Sequence, residues 1–239
     1  MTGSKRICLW SGPRNVSTAL MYSFAQRTDT TVIDEPLYAT YLVHSGVQHP
    51  GRDETLLSQS SSPDFVIDTV ILGPCPTPVM FVKSMAHHLL EVDTSFLLKT
   101  TNVILTRDPV EMLPSLATQI PEPTLADTGL PQQVALVNFL RSTGQLVPII
   151  DSRRLLQDPE RVLRSLCSEL GLDFDEAMLS WPAGPRIEDG VWAKYWYHNV
   201  HASTGFAPYR TKSEAFPERL RPLLDEARPH YLELIGNTE

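Results

Sequence analysis

Short apolar runs alternate with amphipathic stretches along most of the chain, and their spacing predicts alternating strands and helices. Ile7-Cys8-Leu9-Trp10 reads as a short buried strand. Ser11-Gly12-Pro13 breaks it, and residues 17–27 predict a helix with Leu20 and Phe24 on one face. Further strands are expected over 31–34, 79–83 and 102–106, with a short fifth over 147–150. The stretch 44–63 is rich in Ser, Gly and Pro, which predicts loops with room for one short helix. Asp108-Pro109-Val110-Glu111 carries a full helix start: Asp as cap, Pro in the first position, Glu three residues after the cap. Ile120-Pro121-Glu122-Pro123 closes that segment, and 132–141 predicts another helix. Asp158-Pro159 opens a helix striped by Val162, Leu163, Leu166, Cys167 and Leu170 and closed by Gly171. An aromatic-rich segment covers 191–206, and a last helix is expected over 219–235.

This alternation predicts an α/β architecture: one domain over residues 1–239, with a central parallel sheet of about five strands flanked by helices. In such sheets ligands bind beyond the carboxyl ends of the strands. The turns after Trp10, after Ile33 and after Thr106 are therefore the places where chemistry is expected.

Composition narrows the partners. The 239 residues are 42% hydrophobic and 20% charged, which suits a folded globule. A formal net charge of −8 disfavours nucleic acid, anionic membranes and long polyanionic acceptors. Three scattered cysteines, Cys8, Cys75 and Cys167, form no Cys-x-x-Cys pair and predict neither a disulfide framework nor a zinc site. Lys5-Arg6 leads into an apolar run too short for a signal peptide, and no later run reaches the roughly 20 residues of a membrane span. The cytosol is the expected compartment, with no membrane partner.

The turn Ser11-Gly12-Pro13-Arg14-Asn15-Val16-Ser17-Thr18 joins a buried strand to a helix. A helix N-terminus offers unpaired N–H groups and a partial positive charge to a phosphate. Arg14 adds a permanent cation, and Ser17 and Thr18 add hydroxyl donors. In the plainer account, Ser17 only caps the helix and Arg14 faces solvent. The nucleoside-triphosphatase pattern Gly-x-x-x-x-Gly-Lys-Ser/Thr is absent, which disfavours an ATP-dependent kinase. Further on, Arg107 ends a strand, and Ser115 shares a helix face with Asp108, Glu111 and Met112. Together Arg107 and Ser115 could hold a phosphate. Alternatively, Arg107 pairs with Asp108 or Glu111 and Ser115 fills a surface site.

These segments resemble the PAPS-dependent sulfotransferases, where PAPS is 3′-phosphoadenosine 5′-phosphosulfate and PAP its product. In that family Pro, then Lys or Arg, then a short run ending in Ser/Thr-Thr meets the 5′-phosphosulfate. Pro13, Arg14, Ser17 and Thr18 match, while Asn15-Val16 stand where Ser-Gly is usual. The family's apolar strand ending in Arg, followed by Asn or Asp, then Pro, with Ser eight residues after the Arg, holds the 3′-phosphate. Val103 through Arg107-Asp108-Pro109 to Ser115 fits it. Asp151 to Pro159, and the helix ending in Leu170-Gly171-Leu172, resemble the family's late strand-to-helix block. The resemblance spans roughly residues 7–172 and implies a P-loop sulfotransferase-like fold. Tyr209-Arg210-Thr211-Lys212 stands where the family often has a late basic loop, which makes Arg210 a further phosphate ligand.

The resemblance also distributes the chemistry. Arg14 stands on the leaving-group side, and Lys83 is a second cation near the sulfuryl group; its plainer account is a lysine snorkelling at the surface. Many relatives place a histidine base two residues after that lysine, where this chain has Met85. Other branches use a glutamate just after the second strand, which makes Glu35 the first choice of base, with His87 and His88 in reserve. Glu35 could instead be an ion-pair partner of Arg14. Trp192, Tyr195, Trp196, Tyr197 and His198 are core packing or a wall over an apolar acceptor. The implied function is sulfuryl transfer to a hydroxyl or amine of a small molecule, with no metal. The rivals are a small-molecule kinase and a non-catalytic nucleotide binder of the same fold.

Overall fold

The computed structural model of the protein describes residues 3–210 and 214–236. Five strands form one sheet: β1 (Lys5–Ser11), β2 (Thr30–Asp34), β3 (Val79–Met85), β4 (Thr101–Thr106) and β5 (Ile149–Asp151). Every pairing is parallel, in the order β2-β3-β1-β4-β5. The near-continuous apolar runs of β1, β3 and β4 require cover on both faces, because successive side chains point to opposite sides. Ile7, Leu9, Phe81, Val103 and Leu105 pack with α1 (Ser17–Phe24) and with Leu163 and Leu166 of α8 (Pro159–Glu169). Cys8, Trp10, Met80, Val82 and Ile104 pack against α5 (Pro109–Leu116), α6 (Leu130–Ser142) and α11 (Arg221–Gly236). Buried Trp10 finds a partner for its indole N–H in Asn102 Oδ1 at 2.9 Å.

The expected α/β fold with five parallel strands is present; its details differ in three places. The first helix stops at Phe24 because buried Arg27 turns to Asp29, at 2.8 Å, and to the Asp173 carbonyl, at 2.6 Å. The stretch 44–63 holds one short helix, α3 (Arg52–Ser58), as expected, while α2 (Tyr38–Ser45) and α4 (Pro63–Val66) flank it in segments where no helix is expected. Gly46, in the left-handed region at φ 69°, ends α2, and Ser62 caps α4. The fifth strand runs to Asp151, whose carboxylate then caps α7 (Ser152–Gln157). The aromatic segment forms α9 (Ala193–Trp196) and α10 (His198–His201).

From β1 the chain moves toward β2, whereas from β4 it moves the opposite way, toward β5. The loops after β1 and β4 therefore part and leave a crevice between the carboxyl ends of neighbouring strands. The Asp127 turn closes over the first of these loops. A Cβ on Gly12 would come within 2.8 Å of the Thr128 carbonyl, so only glycine permits this approach. Gly12→Ala is expected to destabilise the fold by about 1–3 kcal/mol in urea denaturation, by overpacking against backbone. Gly3→Ala, with nothing within 4 Å of its Cβ, should be near neutral.

A candidate active site at the carboxyl edge of the sheet

The loop after β1 is held by side chains from the other side of the crevice. Arg14 adopts a left-handed φ of 52°, which strains a residue bearing a Cβ. The Arg107 guanidinium donates to the Arg14 carbonyl at 2.7 Å and fixes that turn. Asn15 donates to the Leu105 carbonyl at 2.8 Å, and its Oδ1 accepts from Val16 N at 2.7 Å and from the Ser152 hydroxyl. Asn15 is thus the brace of the loop: its side chain anchors the turn through the Leu105 carbonyl, Val16 N and the Ser152 hydroxyl. Val16 occupies the cap position of α1, and no side chain caps that helix. Ser17 therefore is not the cap, and the first-turn amides remain available.

Arg14 does not face solvent. Its Nε donates to Ser115 Oγ at 3.0 Å, and burial together with nearby Arg107 lowers its pKa. Arg107 lies 3.6 Å from Glu111, while Asp108 pairs with Arg153 at 3.2 Å and Glu111 pairs with Arg153 at 2.8 Å. Among the described residues Arg14 has no carboxylate partner. Two guanidinium groups and a hydroxyl thus converge beside an uncapped helix N-terminus, an arrangement suited to an anion.

The second and third strands build the opposite end. Asp34 of β2 lies in register with Lys83 of β3. Lys83, completely buried, donates to Asp34 at 3.0 Å, to Glu35 Oε1 and to the Tyr197 hydroxyl at 2.6 Å. Glu35, like Arg14, has a positive φ, 39°, and its partner is Lys83 rather than Arg14. An ammonium has three N–H donors, so Lys83 has none left for a ligand. It is neither a snorkelling surface lysine nor a free second cation. Tyr197 closes the cluster, donating to Asp34 Oδ2 at 2.7 Å and accepting from the Trp192 indole at 3.1 Å. Burial pushes the Glu35 carboxyl up, with neighbouring Asp34 adding to the rise and Lys83 opposing it. Burial disfavours the Lys83 ammonium, but Asp34 and Glu35 more than offset this and raise its pKa.

A cavity of about 440 Å³ joins both ends. Pro13, Arg14, Asn15, Val16, Ser17, Thr18, Arg107 and Ser115 line one side, and Glu35, Lys83, His87 and His88 the other. His88 Nδ1 lies 3.9 Å from Glu35 Oε2. Burial lowers His87 to about 4 and takes His88 well below its ordinary value, so both are neutral near pH 7. Of the aromatic segment, Trp192, Trp196 and Tyr197 reach the cavity, whereas the Tyr195 hydroxyl pairs with Glu54 at 3.0 Å. His198 does not line it. Arg210 is exposed and lies outside the cavity lining, and Thr211 and Lys212 fall outside the described residues. Sequence reasoning missed Tyr38, Tyr41, His49 and Asp127, which also line the cavity. Tyr38 and Tyr41, three apart on α2, follow Glu35 directly, a signal visible only once that segment is known to be helical.

A five-stranded parallel sheet thus gathers a basic loop after its first strand, a basic-and-hydroxyl pair after its fourth and a buried acid after its second at one edge. The chain belongs to the sulfotransferase family: the family model described as Sulfotransferase domain matches residues 5–235. The sulfotransferase domain of the Synechococcus PCC 7002 olefin synthase is 18% identical, with a TM-score of 0.56 and 94% of each chain covered. A sulfotransferase from Alicyclobacillus acidocaldarius is 15% identical, with a TM-score of 0.56, covering 98% of this chain and 96% of that one. At these identities the likeness is one of fold. By sequence, branched-chain-amino-acid aminotransferase-like protein 1 of Arabidopsis thaliana is 40% identical over 223 residues, 93% of this chain. This chain spans only 40% of that protein's length.

The buried cluster predicts a stability order. Lys83→Met leaves two carboxylates in a dry site and should cost roughly 3–5 kcal/mol. Tyr197→Phe removes one hydroxyl from the same network and should cost about 1–3 kcal/mol. Urea denaturation at neutral pH reads both, and equal small losses would show that the groups are not coupled.

Proposed function

We propose that this protein transfers a sulfuryl group from PAPS to a hydroxyl or amine of a small-molecule acceptor and releases PAP. The observation that carries this reading is one cavity with two poles: Arg14, Arg107 and Ser115 at one end, and a buried acid, Glu35, at the other. A nucleotide with phosphate groups at both its 5′ and 3′ positions suits the first pole, because Arg14 lacks a carboxylate partner among the described residues and Arg107 and Ser115 sit across the crevice from the loop. In this reading the 13–18 loop and the first turn of α1 hold the 5′-phosphosulfate, with Asn15 and Val16 contributing backbone. Arg107 and Ser115 hold the 3′-phosphate. Arg210 receives no role.

PAPS supplies the sulfuryl group and a phosphate leaving group. Glu35 takes the acceptor's proton as the acceptor oxygen or nitrogen bonds to sulfur; the S–O bond to the 5′-phosphate breaks, and its electron pair leaves with PAP. Arg14 stabilises the charge growing on that phosphate. Lys83 positions Glu35 and holds its charged form in a site whose burial works against it. His88, neutral and beside Glu35, is the second group able to take the proton, with His87 behind it. The net charge of −8 and a cavity of about 440 Å³ favour a small acceptor over nucleic acid. Free Cys8, Cys75 and Cys167 fit a cytosolic setting.

Glu35→Gln should lower turnover by about 10²–10⁴-fold, while PAP affinity stays within about twofold of the parent. Retained turnover would move the base to His88, and absence of turnover in the parent with intact PAP binding would leave a nucleotide binder. The working form of Glu35 is its carboxylate, so kcat/KM rises with pH through the elevated Glu35 pKa. The acid limb of the profile is expected above the ordinary glutamate value of 4.5 and should vanish in Glu35→Gln. A limb at or below 4.5 would contradict this assignment.

A further inference from the structure

The acceptor half of the cavity is walled by rings. Tyr38 and Tyr41 stack on His88 with centroids 5.0 and 4.8 Å away, and Trp192 meets Tyr38 edge-on at 5.2 Å. His49 continues the wall, 6.1 Å from Tyr41 and 5.9 Å from Trp196, and His87 abuts Tyr41 at 4.9 Å. Burial keeps the histidines uncharged, lowering His49 as it lowers His87 and His88. Lys83, the one cation on this side among the described residues, is neutralised by Asp34 and Glu35.

One carboxylate in this wall has no basic partner among the described residues. Asp127 lies on the turn Ala126–Thr128 and lines the cavity. Its Oδ2 accepts from the backbone N and the hydroxyl of Thr124, both at 2.7 Å, which fixes the side chain and leaves Oδ1 for a ligand. Its charge reaches the same rings, raising Tyr41 behind the larger effect of burial and favouring the charged forms of His49 and His87. The turn is locked in place: the position of a Cβ on Gly129 is 3.4 Å from Gly12 Cα and 3.5 Å from His87 Nδ1. A fixed carboxylate among electron-rich ring faces attracts a cation, while an anionic acceptor would meet both Asp127 and Glu35.

We infer that the acceptor is a small cationic alcohol, an amino or quaternary-ammonium alcohol, whose positive head lies between Asp127 and the faces of Tyr41, His49 and Trp196. This rests on the transfer reading above and narrows it. An ammonium nitrogen has no free electron pair, so the group that accepts the sulfuryl moiety is the hydroxyl, directed toward Glu35. Asp127 and the rings determine specificity and take no part in bond making.

The test is isothermal titration of PAP-saturated protein with 2-(trimethylammonio)ethanol and with its neutral isostere 3,3-dimethylbutan-1-ol. The cation should bind about tenfold or more tightly than the isostere. Asp127→Asn, which retains acceptors for both Thr124 donors, should reduce that preference to within about twofold and leave PAP affinity unchanged. Trp196→Leu, on the half-buried edge of the wall, should weaken the cation alone. Equal binding of the two alcohols, tighter binding of the neutral one, or no binding of either to PAP-loaded protein would overturn the inference and spare the transfer reading. Failure of the unmodified protein to bind PAP would remove both.

Discussion

The hydrogen bond from Arg107 to the Arg14 carbonyl is the contact on which the site depends. Arg14 is held in a left-handed backbone conformation that costs a non-glycine residue roughly 1–3 kcal/mol. That conformation lays its side chain on Ser115 at the cavity wall. The same contact brings two like charges together with no carboxylate for Arg14 among the described residues, an unfavourable arrangement unless an anion neutralises it. Asn15 and Ser152 make the arrangement rigid, tying the loop to the ends of β4 and β5. Contacts at the ends of β1, β4 and β5 thus hold Arg14 and Arg107 side by side.

The other pole obeys the opposite rule. Lys83, Asp34, Glu35 and Tyr197 neutralise one another in a dry site, so nearly all of this charge is inward-facing and structural. What the cluster presents to the cavity is one carboxylate with a raised pKa, flanked by uncharged histidines. Separation of the poles follows from strand order, since β2 and β3 carry the acid and β1 and β4 carry the guanidinium groups. Chemistry that needs a stabilised leaving phosphate at one end and a proton acceptor at the other fits this division.

Much of the architecture was legible in the sequence because its signals are local. Apolar runs marked all five strands, and Asp108 and Asp158 marked their helices as caps, as the structure shows. Site residues at strand ends, such as Arg14, Glu35, Lys83 and Arg107, could be singled out because the carboxyl edge of a parallel sheet is where ligands bind. Their partners could not. Nothing in the spacing of Glu35 and Lys83 says that they share a proton-bearing contact 48 residues apart. The bracing role of Asn15 depends on carbonyls of β4, which adjoins β1 only in the folded sheet. His49 lies in a stretch that reads as loop and Asp127 between two expected helices, and both join the cavity through tertiary packing alone. Arg210 is exposed beside residues outside the described ones, and its candidacy as a phosphate ligand rests on the resemblance alone.

The central claim is that the crevice between β1 and β4 reads a 3′-phosphate. Isothermal titration with PAP, 5′-AMP and ATP-magnesium, in the parent protein and in Arg107→Ala, tests it most directly. PAP should bind at least about tenfold more tightly than 5′-AMP, as expected for a charge-assisted pair, and Arg107→Ala should erase most of that margin. Equal affinity for PAP and 5′-AMP, or preference for ATP-magnesium, would contradict the account.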